Sequence, residues 1–188
     1  MKYGEEAVYE LLEALNQHAV PYMLVGSFSS NAYGEPRSTK DADFVVQFSP
    51  LTSAAVLDAL GGEFIIDDQI TFETITRHTR QILKVPSIPF EIELFDLSDE
   101  PFDRSRFERK VKTSIGGHEV WLPTAEDVIV QKLRWASLGN RGKDYLDALG
   151  VAKVRRDKLD WDYIDFWCEA LGLGSGLVSL KAEAGVET

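Results

Sequence analysis

Apolar side chains recur at helical spacing near the start of the chain. Val8, Leu11, Leu12 and Leu15 fall on one stripe of residues 5–18, the pattern of an amphipathic helix. Tyr22-Met-Leu-Val25 is then continuously apolar up to Gly26, which predicts a buried strand followed by a short helix or turn over 27–32. Gly34-Glu-Pro36 reads as a loop and 42–48 as a strand. Pro50 suits a first helical turn, so a helix is expected over 51–60, stopped by Gly61-Gly62. Short strands are expected at about 63–66, 70–76, 80–85 and 90–96, then a helix over 102–108. Gly116-Gly117 between 110–115 and 118–122 predicts a hairpin, because a glycine pair accepts the positive φ of tight hairpin turns.

After Pro123 the pattern turns helical. Thr124-Ala-Glu-Asp127 resembles a capping arrangement and starts a helix to about Leu138, broken by Gly139-Asn-Arg-Gly142. A second helix is expected over 143–155 and a third over 161–171, whose Trp161, Tyr163, Phe166 and Trp167 are expected to pack rather than to bind a ligand. The glycine-rich tail from Gly172 is expected to fray or dock loosely. The pattern therefore predicts an α/β (α+β) chain. A mixed β-sheet flanked by helices spans 1–122, and a helical C-terminal region spans 123–188.

Composition narrows the class. With 188 residues, 44% of them apolar and 11% aromatic, the chain can bury the core of one domain, with or without a helical appendage. No apolar run approaches the ~20 residues of a membrane helix, and Met-Lys-Tyr-Gly-Glu-Glu at the start is no apolar signal segment. Cys168 is the single cysteine, which rules out an internal disulfide and a cysteine zinc site and suits a small apolar position on a helix. A cytoplasmic protein is expected. The net charge of −11 argues against sequence-independent binding to nucleic acid. Local basic stretches (Arg77, Arg80, Lys84; Arg104, Arg106, Arg109, Lys110, Lys112; Arg134, Arg141, Lys143, Arg155, Arg156) read first as solvated helix and strand faces. His18, His78 and His118 have no spacing that suggests a metal site or a triad. A P-loop and a Gly-x-Ser-x-Gly elbow are both missing from the sequence.

The chemistry concentrates in Asp41-Ala-Asp43 and in Gly26-Ser27. Residues two apart on a strand share a face, roughly 6.5–7 Å apart, and two carboxylates so placed can hold Mg²⁺ together with phosphate oxygens. Gly26-Ser27 opens a helix after an apolar strand, so its backbone N–H groups can hold a phosphate. A plain N-cap after a buried strand accounts for Ser27 equally well.

Val25-Gly26-Ser27 followed by Arg37-Ser-Thr-Lys-Asp41-Ala-Asp43-Phe resembles the signature of the polymerase-beta-type nucleotidyltransferase superfamily. Pro123-Thr-Ala-Glu-Asp127 through Lys132, then Arg141-Gly-Lys-Asp144-Tyr-Leu-Asp147, is similar to its AbiEii/AbiGii branch, which includes toxins of toxin–antitoxin pairs. The resemblance covers roughly 5–150. It implies that Gly26 and Ser27 hold a triphosphate, that Asp41 and Asp43 hold Mg²⁺ (or Mn²⁺), and that Glu93 completes the metal set. Most relatives have Asp at that position, so Glu93 is a departure, and Glu91 on the same strand face competes with it. Lys132 is implied to contact the triphosphate or snorkels at the core edge. Asp144 is implied to wall the site, pairing with Lys132 or Arg141, or belongs to a structural ion network. Arg37 is a candidate phosphate clamp, Arg141 a further nucleotide contact, and Thr39 a polar turn residue.

The implied function is transfer of a nucleoside monophosphate from an NTP to a hydroxyl of RNA, protein or a small molecule, with an antitoxin protein as the implied partner and no membrane association. The alternative is a degenerate nucleotidyltransferase fold that binds a nucleotide or a partner. A metal-dependent phosphodiesterase is a third reading, disfavoured because a nuclease has no need of a triphosphate cradle.

Overall fold

The computed structural model describes residues 4–67, 71–73, 78–139 and 141–186, with side chains for all of these but 71–73, 78 and 79. The strand expected over 70–76 therefore lies partly outside the described residues, as do Arg77, Asn140 and the side chain of His78. The chain divides into two compact units, Met1–Gly26 with Ser38–Leu122 and Ser27–Arg37 with Pro123–Thr188.

The first unit is built on a mixed sheet. Strands β1 (Tyr22–Val25), β2 (Asp41–Val46), β3 (Ile65–Ile66), β4 (Thr71–Glu73), β5 (His78–Lys84) and β6 (Glu91–Asp96) form it in the order β1-β2-β6-β5-β3, with β4 also paired to β5. β2 runs antiparallel to β1 and parallel to β6, and the other pairs are antiparallel. Pleating divides each strand between two faces. Leu24, Ala42, Phe44, Val46, Leu83, Ile92 and Leu94 alternate onto one face, all buried. On the other, Met23, Val25, Val45 and Phe95 form a buried cluster with Phe107, and the same alternation carries Asp41, Asp43, Glu91 and Glu93.

Helix α1 (Gly4–Gln17) buries Ala7, Val8, Leu11, Leu12, Ala14 and Leu15, the stripe read in the sequence. Helix α3 (Pro50–Leu60) is capped by Ser49, whose side chain accepts from the Thr52 N–H, with Pro50 at the first helical position. Helix α4 (Pro101–Glu108) follows β6. Strands β7 (Val111–Ile115) and β8 (His118–Leu122) make the expected hairpin, with Gly116 and Gly117 both at positive φ, 59° and 87°.

The second unit is helical. It contains α2 (Gly26–Tyr33) from Ser27 onward, α5 (Ala125–Gly139), α6 (Gly142–Arg155), α7 (Trp161–Ala170) and α8 (Gly174–Ala184). The α5 cap matches its expectation: the Thr124 hydroxyl accepts from the Asp127 N–H and donates to the Asp127 carboxylate at 2.9 Å. One expectation is corrected here. The tail is an ordered helix, α8, because Leu177, Leu180 and Ala184 recur at helical spacing and are buried. On α7 the aromatics pack on one another, Tyr163 and Phe166 each edge-on to Trp167 at 6.4 and 5.1 Å, while Ile164 and Cys168 supply the buried positions and Phe166 stays 61% exposed. Burial pushes the Cys168 thiol up to about 12, with Asp165 adding to the effect, so it is an inert core residue. Among the described residues no helix is long and apolar enough to cross a membrane.

Candidate functional site

In the first unit the parallel pairing of β2 with β6 sets Asp43 beside Glu93 and Asp41 beside Glu91, so the four acids occupy neighbouring strands in register. Val25 pairs with Asp43 across β1, which brings the following residue, Gly26, against the Asp43 side chain. Gly26 has φ +59°, and a Cβ built on it would lie 1.8 Å from Asp43 Oδ2. Only glycine satisfies both the backbone and the space. The missing side chain is thus where a carboxylate sits. Thr39, read in the sequence as a turn residue, donates its hydroxyl to Asp41 Oδ1 at 2.5 Å and fixes that carboxylate.

Glu93 is engaged by a group the sequence did not single out. Arg80 on β5 places Nη1 at 3.0 Å from Oε1 and 3.1 Å from Oε2 of Glu93. Glu91 is exposed and has Lys84 Nζ at 4.0 Å, with Lys84 also donating to Asp67 at 2.9 Å. A cavity of about 430 Å³ opens beside Asp41, Glu91 and Glu93, with Pro86, Pro89 and Phe90 on its apolar wall. An all-oxygen donor set of this kind suits a hard divalent cation. Among the described residues no three acidic, histidine or cysteine side chains close around one point, so the trio shares a face without forming a ready cage.

In the second unit the sequence-selected residues meet in one ion network. Arg37 grips Asp147 with a fork, Nε to Oδ1 and Nη2 to Oδ2, both at 2.7 Å. The same Nη2 donates to Ser27 Oγ at 2.9 Å, which leaves the hydroxyl hydrogen of Ser27 to serve as a donor. Lys132 donates to Asp147 Oδ2 and to Asp144 Oδ1, each at 2.8 Å. Arg141 Nε lies 3.0 Å from Asp144 Oδ2 without hydrogen-bond geometry, and its guanidinium stands 5.5 Å from the Trp135 ring centre. The Arg37 backbone is held on both sides by Asn31, which donates to its carbonyl at 2.7 Å and accepts from its N–H at 3.1 Å. Asp144 therefore pairs with both cations that sequence reasoning offered it. Asp147 and Asn31 were not singled out as site residues. Asp147 had a signal, its three-residue spacing from Asp144 on one helix face.

Burial pushes the Asp147 carboxyl up, but hydrogen bonds from Arg37 and Lys132 outweigh this and hold it below its ordinary value of 3.8. A group lowered on folding stabilises the fold fully above its unfolded value, and that stability is lost as pH falls through the folded one. Wild-type melting temperature is thus expected to drop between about pH 5 and pH 2 more steeply than that of Asp147→Asn. Parallel curves for the two proteins would contradict the assignment.

The architecture is that of nucleotidyltransferase-like proteins. The antibiotic-resistance factor ANT(2'')-Ia matches with TM-score 0.58 at 12% identity, over 96% of each chain. An antigenic nucleotidyltransferase-like protein from Paracoccidioides brasiliensis matches with TM-score 0.59 at 16% identity, over 96% of this chain and 90% of that one. JHP933 from Helicobacter pylori gives 0.57 at 19% identity, over 97% and 78%. No curated protein matches the chain. The chain belongs to the AbiEii family, the nucleotidyl transferase toxins of type IV toxin–antitoxin systems, whose model matches residues 10–166. It is a nucleotidyltransferase.

Proposed function

We propose that this nucleotidyltransferase moves a nucleoside monophosphate from an NTP to an acceptor hydroxyl on RNA, protein or a small molecule, using Mg²⁺ or Mn²⁺ on Asp41, Asp43 and Glu93. The observation that carries the reading is the seating of the Asp43 carboxylate in the space of the absent Gly26 side chain. A strand acid packed against a positive-φ glycine keeps a side chain away from the place where phosphate oxygens approach. The bound cations would supply charge neutralisation for the phosphates and acidify the acceptor hydroxyl.

The chain's own residues do the rest. Gly26 and Ser27, consecutive in the sequence, offer backbone N–H groups and a hydroxyl to the triphosphate. Arg37, itself fixed by Asp147, orients that hydroxyl. The acceptor oxygen bonds to the α-phosphorus, the bond to the bridging oxygen breaks, and pyrophosphate leaves. The hydroxyl proton passes to a carboxylate of the trio. Lys132, itself held by Asp144, holds Asp147 and thereby Arg37, and Arg141 is a further nucleotide contact. The cavity beside Asp41 and Glu93 offers room for the acceptor. The family's toxin character supports an antitoxin partner, and the chain's acidity and single buried cysteine suit the cytoplasm.

Incubation with each α-labelled NTP, Mg²⁺ and a pool of RNA, protein and small-molecule acceptors tests the reading. Label should reach one acceptor class, and transfer should disappear in Asp41→Asn and Asp43→Asn. The second reading, a nucleotide- or partner-binding module, draws on the ion pair that Arg80 makes with Glu93. NTP binding with no transfer to any acceptor would favour it.

A further inference from the structure

Four carboxylates on one end of a sheet face repel one another unless something positive stands among them. In the first unit Arg80 answers part of that charge at Glu93. Its placement follows from register. Ile82 is the partner of Glu93 across β5 and β6, and Arg80 that of Phe95, so Arg80 and Glu93 are diagonal neighbours on one face. Diagonal pairs stand about 7–8 Å apart at the backbone, within reach of a long side chain. The guanidinium spans that gap and puts one nitrogen against both oxygens of Glu93. The pair is partly shielded, with Arg80 27% and Glu93 19% exposed. Both oxygens through which a carboxylate would grip a cation are engaged by that positive group.

We propose that Arg80 is the resting counter-ion of Glu93 and competes with a divalent cation for that carboxylate, so that Arg80 sets how tightly the third acid engages metal. The inference rests on the reading of Asp41, Asp43 and Glu93 as a cation site. In the resting protein the guanidinium holds Glu93, and Asp41 and Asp43 take the first cation. A cation that recruits Glu93 must displace the guanidinium toward solvent. The longer side chain at position 93 fits this exchange, because glutamate has the reach to meet either partner. Competition for one group is reciprocal. What Arg80 gains from Glu93 is subtracted from the cation's affinity.

Mn²⁺ binding, followed by calorimetry and by the paramagnetic signal of the free ion, tests the proposal in the full chain without reference to turnover. Arg80→Ala and Arg80→Gln should each tighten Mn²⁺ binding by about 10-fold or add a second equivalent. Glu93→Gln in the same background should cancel the gain. Without cation, Arg80→Gln should melt below wild type, and saturating Mn²⁺ should restore more of its melting temperature than it adds to wild type. A merely structural arginine would lower the melting temperature with no such rescue. Unchanged or weaker Mn²⁺ binding in both folded variants overturns the proposal while leaving the metal site standing. If wild type and variants bind no Mn²⁺, and Asp41→Asn changes nothing, the underlying cation site falls as well.

Discussion

Gly26→Ala is expected to lower nucleotidyl transfer by at least about 100-fold, the scale of loss from a misplacement of about 1 Å at a reacting centre. The added methyl would lie 1.8 Å from Asp43 Oδ2, so carboxylate and glycine turn must separate by more than that misplacement. The substitution also strains a backbone held at φ +59°, at a cost of about 1–2 kcal/mol. Overpacking adds about 1–3 kcal/mol. Gly62→Ala is the control, because a Cβ there meets nothing within 4 Å. Circular dichroism separates unfolding from a folded protein with a displaced acid. Wild-type transfer in a folded Gly26→Ala protein would show that the Asp43 carboxylate is not needed where it sits.

Lys132→Met is expected to destabilise the protein by about 3–5 kcal/mol, the usual cost of removing one partner from a buried ion pair. The Lys132 side chain is 5% exposed, and its acceptors Asp144 and Asp147 are 2% and 7% exposed. Asp147 keeps the Arg37 fork, whereas Asp144 keeps only the Arg141 guanidinium at 3.0 Å without a hydrogen bond, so Asp144 is the group that bears most of the desolvation penalty. The double variant Lys132→Met with Asp144→Asn should therefore recover a substantial part of the loss. Urea unfolding of wild type, the single and the double variant measures both steps. A loss below about 1 kcal/mol would place Lys132 among ordinary surface lysines. The network also positions Ser27, so the folded fraction of Lys132→Met should bind NTP more weakly than wild type.

What could be read from the sequence followed the range of the interactions involved. β1 and β2 were legible because Tyr22–Val25 is uniformly apolar and Asp41-Ala-Asp-Phe alternates with period two. The hairpin was legible because Gly116-Gly117 leaves few other turns. Residue identities also marked the acids, Gly26 and Lys132. The network joining Arg37 to Asp147 spans 110 residues of sequence, and no local pattern specifies that pairing. Arg80 looked like one charge in a basic stretch until the strand register made it diagonal to Glu93. Thr39 reads only as a turn residue in the sequence, because its bond to Asp41 is set by the geometry of the strand that follows. Helix α8 was missed for a different reason. Glycines at 172, 174, 176 and 185 lower local helix propensity, yet the burial of Leu177, Leu180 and Ala184 outweighs it. The 3,4 spacing of those three residues is the signal of the helix.

The pairing of β2 with β6 also bears on how the protein acquires its acid cluster. Asp43 and Glu93 become neighbours only after the chain between two parallel strands has closed on itself. Closing a span of that length costs roughly 3 kcal/mol of chain entropy before any contact rewards it. The β7–β8 hairpin closes over two glycines and carries almost none of that burden. A newly made chain is thus expected to gain its local hairpin and helices early and its carboxylate constellation late.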